Sequence, residues 1–225
     1  MRLSVYVETG RKRVYAGLLA WPGWDRGGRD EAAALRALVE AGPRYRRALG
    51  RVAADLTPPD DIAMLEVVEH PRGNGTTDFG VPAVGPSTDE AAVDQADLGR
   101  LVAILRAAWA ALDAAGEAAT GHRLRKGPRG GGRELEGIVE HVVGAEVSYL
   151  FSLGGTRREA PQPGDRAALA DERAAAVEAL SARARGEPVD MGRRRARIWT
   201  PRYFVRRAAW HVLDHAWEIE DRTLP

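Results

Sequence analysis

Cysteine is absent from the 225-residue chain. That excludes disulfides, thiolate metal ligands and a cysteine nucleophile together, so any metal has to be held by His, Asp or Glu. Lysine is nearly missing as well, with Lys12 and Lys126 alone against a majority of arginines, and the formal net charge is only +1. A balance this close to neutral lacks the global attraction of a nucleic-acid binder and argues against nucleic acid as a partner. Long apolar runs are missing too. Nothing approaches the roughly 18 uninterrupted apolar residues of a membrane span, and charges interrupt Met1 to Val14 where a signal peptide needs an apolar stretch. A cytoplasmic chain without a membrane partner is therefore expected. What is present, 44% hydrophobic and 29% charged residues, suffices for one large core or two small ones.

The first part of the chain reads as a small α+β unit. Leu3 to Val7 alternates apolar and polar residues, Val14 to Trp21 is a second apolar run, and Thr9-Gly10-Arg11-Lys12 between them predicts a β-hairpin. Trp21-Pro-Gly-Trp24 and Gly27-Gly28 break the strand. Asp30 is placed to cap a helix whose apolar positions are Ala34, Leu35, Leu38 and Val39, and which should bend or stop at Gly42-Pro43. Ile62 to Val68, after Thr57-Pro58-Pro59, reads as another strand. Residues 71–86, rich in Gly, Pro and Thr, have the composition of a linker, with Phe79, Val81 and Val84 supplying some apolar surface.

From Ser87 onward the strand signal gives way to four helical patterns, over about 89–119, 134–153, 165–185 and from Thr200 to near the C-terminus. The last is the clearest, because Thr200-Pro201 is an N-cap followed by proline at the first helical position. Phe204, Ala208, His211 and His215 then advance by four, three and four residues along one face. Four helices of this length imply a four-helix bundle over 87–225, so the expected class is α+β: a small N-terminal unit over 1–70, a linker, and an all-α part.

Only five histidines occur, at positions 70, 122, 141, 211 and 215. His211 and His215 sit one helical turn apart on the same face, which lets two imidazoles reach one ion, and His141 projects from the apolar stripe of the second long helix. Spacing alone leaves two readings: hydrogen-bonded core histidines, or metal ligands. Glu218, three residues after His215 and seven after His211, shares their face as an acceptor behind the ligands or an added ligand. Asp214 points about a quarter-turn away and reads as a solvent-facing acid paired with an arginine, while Trp210 and Trp217 read as packing residues. Gly127 to Arg133 and Arg193 to Arg197 resemble anion-binding and basic patches, but read more simply as an interhelical loop and a solvated surface.

Trp199 to Glu218, taken with Glu140 to Leu150, resembles the DinB-like superfamily, which includes the mycothiol-dependent maleylpyruvate isomerases and the bacillithiol transferases. The resemblance covers about 135 residues. It implies a four-helix bundle with a long crossover, and a divalent metal held by one histidine from the second helix and a pair four apart on the fourth. Those roles fall on His141, His211 and His215. Arg13 to Trp24, with Gly27-Gly28 and Asp30 to Leu35, is similar to the HicB antitoxin fold and implies that fold for 1–70.

Three imidazole ligands favour zinc or nickel and leave at least one coordination position open. With no cysteine in the chain, a thiolate there would come from a cosubstrate, mycothiol or another low-molecular-weight thiol, and the expected activity is thiol-dependent transfer or isomerisation of a small-molecule substrate. A metal-dependent hydrolase and a non-catalytic ligand sensor with a HicB-like interaction unit are the alternatives. No catalytic or thiol-binding residue is singled out by the sequence, and neither is the oligomeric state.

Overall fold

The computed structural model describes residues 2–126, 132–162, 164–190 and 197–224. Among them the architecture is mixed α+β, with six α-helices and one four-stranded sheet. The hairpin is present: β1 (Leu3–Thr9) pairs antiparallel with β2 (Val14–Leu18), Val5 facing Leu18 and Thr9 facing Val14. β3 (Asp25–Gly28) adds to the far edge of β2, and β4 (Leu65–Glu69) adds parallel to β1, giving the order β3-β2-β1-β4. Alternation in β1 predicts one buried face. Both are buried, since Val5 and Val7 lie in the core while Tyr6 and Glu8 on the opposite face are also inaccessible.

The first face is covered by α1 (Glu31–Leu49), capped by the Asp30 carboxylate accepting from Ala33 N at 2.8 Å. The expected break at Gly42-Pro43 does not occur, and α1 runs through it with Pro43 inside. An internal proline costs roughly 3 kcal/mol, which packing offsets here. A side chain at Gly42 would lie 2.8 Å from the Trp24 ring, so glycine lets the helix lie directly on that indole. Trp24 donates through Nε1 to Leu38 O at 2.9 Å and stacks on Tyr45, whose hydroxyl donates to Pro22 O. The same aromatic knot fixes the helix on both sides of the proline.

Residues 71–86 are held against the second face of the sheet. They contain α2 (Gly75–Phe79), and the buried Glu8 carboxylate accepts from the Thr77 hydroxyl and from Ala83 N at 3.0 Å. Thr77 rather than Phe79 points inward, Phe79 being 85% exposed.

The four long helices are α3 (Gln95–Ala119), α4 (Leu135–Leu153), α5 (Arg166–Ala184) and α6 (Pro201–Arg222). The first starts six residues later than the expected Asp89. Ser87–Glu90 forms a separate 3-10 turn, and Asp94 caps α3 by accepting from Asp97 N. Asp89 is unavailable as a cap because it is buried against Arg206. α6 packs on α3, α4 and α5, and its other side meets the sheet unit. From Phe204 to Leu213 it is buried at every position but Arg207, with Val205, Ala209 and Leu213 inaccessible on faces that the Phe204–His215 stripe does not include, whereas Glu220 and Asp221 near its end are exposed.

Contacts of several kinds join α6 to the sheet unit. Gly23, with φ at +89°, lies so close to the helix that a Cβ would sit 2.7 Å from Ala209 Cβ. Arg26 pairs with Asp214 at 2.9 Å, and Arg44 with Glu220 at 2.5 Å. The most enclosed contact is Arg206, which is 4% exposed and forms two hydrogen bonds to Asp89, at 2.7 and 3.0 Å, and one each to Leu18 O and Leu19 O at 2.7 and 3.1 Å. No helix among the described residues is long and apolar enough to cross a membrane.

Removing one partner of a buried ion pair strands the other charge. Arg206→Met is expected to lower stability by about 3–5 kcal/mol in urea denaturation, whereas Arg206→Met with Asp89→Leu recovers most of the loss. An unchanged urea midpoint in the single variant would show that the pair contributes nothing.

Candidate metal centre

α6 presents His211 and His215 on consecutive turns because its start is fixed: Thr200 Oγ1 accepts from Tyr203 N and Pro201 opens the helix. α4 presents His141 between the fully buried Ile138 and Val142, and ends at Gly154 in the left-handed conformation, where φ is +114°. Packing of α4 on α6 brings the three imidazoles together. Ring centroids are separated by 5.1 Å between His141 and His211, 4.9 Å between His141 and His215, and 4.7 Å between His211 and His215. One donor nitrogen from each lies within 4.8 Å of the others.

The 3.3 Å separation of His211 Nε2 and His141 Nε2 accommodates either an N–H···N hydrogen bond or two ligands of one ion. Nitrogens about 2.0–2.1 Å from a tetrahedral zinc lie roughly 3.3–3.4 Å apart, so the spacing fits coordination without rearrangement. His215 supports the second possibility. Its Nδ1 lies 2.8 Å from Glu218 Oε2, and Glu218 Oε1 accepts from Arg222 Nη1 at 2.6 Å. Hydrogen bonds from His215 and Arg222 hold the Glu218 carboxyl below its ordinary range, so the acceptor is a carboxylate and Nδ1 carries the proton. Nε2 is then the ring nitrogen of His215 not engaged by the carboxylate, the arrangement of a metal-binding imidazole with a carboxylate behind it. Glu218 is engaged in positioning that ring.

Burial, and then the neighbouring His215 and Arg207, push the His211 pKa down to about 2; burial and Arg133 lower that of His141. Both rings are neutral at physiological pH, as ligation requires. His211 Nδ1 is buried without a hydrogen-bond partner among the described residues, so this ring's polar engagement is entirely at the cluster. The Tyr149 ring packs 5.6 Å from His211, Trp199 packs 5.1 Å from Tyr149, and Tyr203 packs 5.0 Å from Trp199.

No family model, curated protein or solved structure matches the chain. The chemistry has to be read from the residues themselves.

The remaining histidines lie elsewhere, His70 beside Glu31 at the surface and His122 against Leu224 O. Asp214 pairs with Arg26 on β3, and Trp217 packs beneath Arg26, whose guanidinium carbon lies 4.0 Å from the indole centroid. Trp210 packs edge-on against Tyr15. Most of Gly127 to Arg133 and of Arg193 to Arg197 lies outside the described residues.

A second polar group escaped the sequence reading. Tyr149 and Phe204 also line a narrow cavity with Trp109, Glu146, Glu172 and Arg173. Trp109 Nε1 donates to Glu146 Oε1, Arg158 pairs with Glu172 at 3.1 Å, and one oxygen of each carboxyl is buried without a partner. The available signal was position: Glu146 follows Val142 by four residues and so falls on the buried face of α4.

Desolvation raises the Glu146 pKa to about 7, against an ordinary value of 4.5. The folded state therefore holds this proton more tightly than the unfolded chain. Its contribution to stability is full below about pH 4.5 and is lost as pH rises through about 7, a change on the order of 3 kcal/mol. Glu146→Gln keeps an acceptor for Trp109 and cannot ionise. Urea midpoints measured from pH 5 to 8 should fall less steeply for the variant, which should be the more stable protein at pH 8; parallel pH profiles would contradict a neutral buried acid.

Proposed function

We propose that the chain is a metal-dependent protein of DinB-like type, using His141, His211 and His215 to hold one divalent ion, zinc or nickel, and acting in low-molecular-weight thiol-dependent transfer or isomerisation. The observation that carries this is the convergence of three imidazoles from two packed helices, two of them at ligand–ligand spacing. The corresponding reading of the fold is a HicB-like unit over 1–70, a connection over 71–86, and a DinB-like four-helix bundle over 87–225 with its crossover between α4 and α5.

Three protein ligands suit a reactive centre rather than a closed structural one, which has four. A divalent ion so held supplies Lewis acidity and stabilises the deprotonated form of a thiol. The protein's own groups set the conditions around it. Glu218 fixes the tautomer and ring direction of His215, and Arg222 fixes Glu218. The Tyr149 ring, packed on His211, presents an apolar wall that limits water and so strengthens electrostatic interactions at the centre. Burial raises the Tyr149 pKa, so its phenol stays protonated and able to donate a hydrogen bond. A chain without cysteine takes its sulfur from a small-molecule cosubstrate.

Protein purified without added metal is expected to carry about one divalent ion by elemental analysis. His141→Ala and His211→Ala should each lose it, and Glu218→Gln should weaken binding by about 10–100-fold. Full occupancy in both histidine variants would overturn the site. In cobalt-substituted protein, mycothiol or bacillithiol should add a sulfur-to-metal charge-transfer band that is absent in His215→Ala. Hydrolysis of test esters without any such band would instead favour water activation.

A further inference from the structure

We infer that Arg207 is an anion-binding residue of the histidine centre, and that the small molecule taken there carries a carboxylate. The inference rests on the proposed ligand-exchanging metal centre and adds the chemistry of what binds beside it.

Arg207 lies one turn before His211 on α6, so the two share a face. Its guanidinium carbon is 5.2 Å from the Tyr149 ring centroid and 4.8 Å from that of Trp210. Tyr149 in turn packs on His211, so one aromatic ring touches both the guanidinium and the candidate centre. The other described α6 arginines with ion pairs set the contrast: Arg202 pairs with Asp97, Arg206 with Asp89 and Arg222 with Glu218. Arg207 has no ion pair among the described residues, and its Nη1 is buried without an acceptor.

Cation–π stacking accounts for where the guanidinium plane lies, but it leaves the in-plane N–H groups without acceptors. Those groups form the rigid fork that a carboxylate meets with two parallel hydrogen bonds. Charge around the histidines points the same way. The nearby carboxylate, Glu218, is already engaged by His215 and Arg222. One unpaired fork beside an aromatic wall fits a small organic carboxylate better than a polyanion, which would need several donors.

Two measurements test this. Calorimetric titration of the as-purified protein with succinate is expected to show binding that Arg207→Met weakens about tenfold or more and Arg207→Lys weakens less. On the cobalt-substituted protein, three thiols of equal chain length report charge selectivity: 3-mercaptopropionate, 2-mercaptoethanol and cysteamine. The carboxylate should bind about tenfold more tightly than the alcohol, the amine should bind most weakly, and Arg207→Met should collapse that order. Equal succinate affinity in wild type and Arg207→Met overturns the assignment, as does inorganic phosphate binding more tightly than succinate. If succinate binds through Arg207 while no thiol perturbs the cobalt spectrum, the carboxylate site stands and the thiol chemistry proposed above falls.

Discussion

The molecule is arranged around the middle of α6, which is buried from Phe204 to Leu213 at every position but Arg207. A stretch of helix enclosed in this way satisfies its backbone internally, but any polar side chain it carries inward must find a partner or remain unpaired in the interior. α6 carries Arg206 into that environment. Burial opposes the charge, yet the paired Asp89 carboxylate outweighs it and holds the guanidinium protonated. Because its other donors reach Leu18 O and Leu19 O, the same side chain fixes the end of β2, the turn at Ser87–Glu90 and α6 in one register. The rotation of α6 that results decides which residues face α4, and therefore where His211 and His215 point.

Sequence patterns report this arrangement unevenly, for a physical reason. The hairpin, the four long helices apart from the start of α3, the cap at Thr200 and the stop at Gly154 follow from local rules of periodicity and capping, and they are where those rules put them. β3 has no apolar signature because Asp25 is buried through a 2.5 Å hydrogen bond from Tyr6, a partner 19 residues away. Pro43 misleads because the Trp24–Tyr45 stack that holds α1 together comes partly from outside the helix. The delayed start of α3 has the same origin, Asp89 being claimed by a residue 117 positions later.

The histidines form a legible pair because four-residue spacing is itself geometric information, while bringing His141 to them takes a helix packing that spacing does not encode. Glu146 and Arg207 were harder to read. An acid on a buried face and one arginine among many acquire meaning only from what fails to accompany them: any donor for Glu146 Oε2 and any acceptor for Arg207 Nη1.

These absences differ in chemical consequence. Glu146 can relieve its unpaired oxygen by keeping a proton, and burial shifts it in that direction. Arginine has no such option, because a guanidinium stays charged at any pH the folded protein survives. Its unmet donors must be matched by an anion or remain a standing cost. Placed one turn from His211, that cost falls where a bound ligand can relieve it, so the free energy released on pairing contributes to affinity. The same reasoning separates the roles of two adjacent cations that α6 turns to different sides. Arg206, fully matched within the fold, stabilises the position of α6, and Arg207, matched by nothing described in the fold, is left to recognise what arrives.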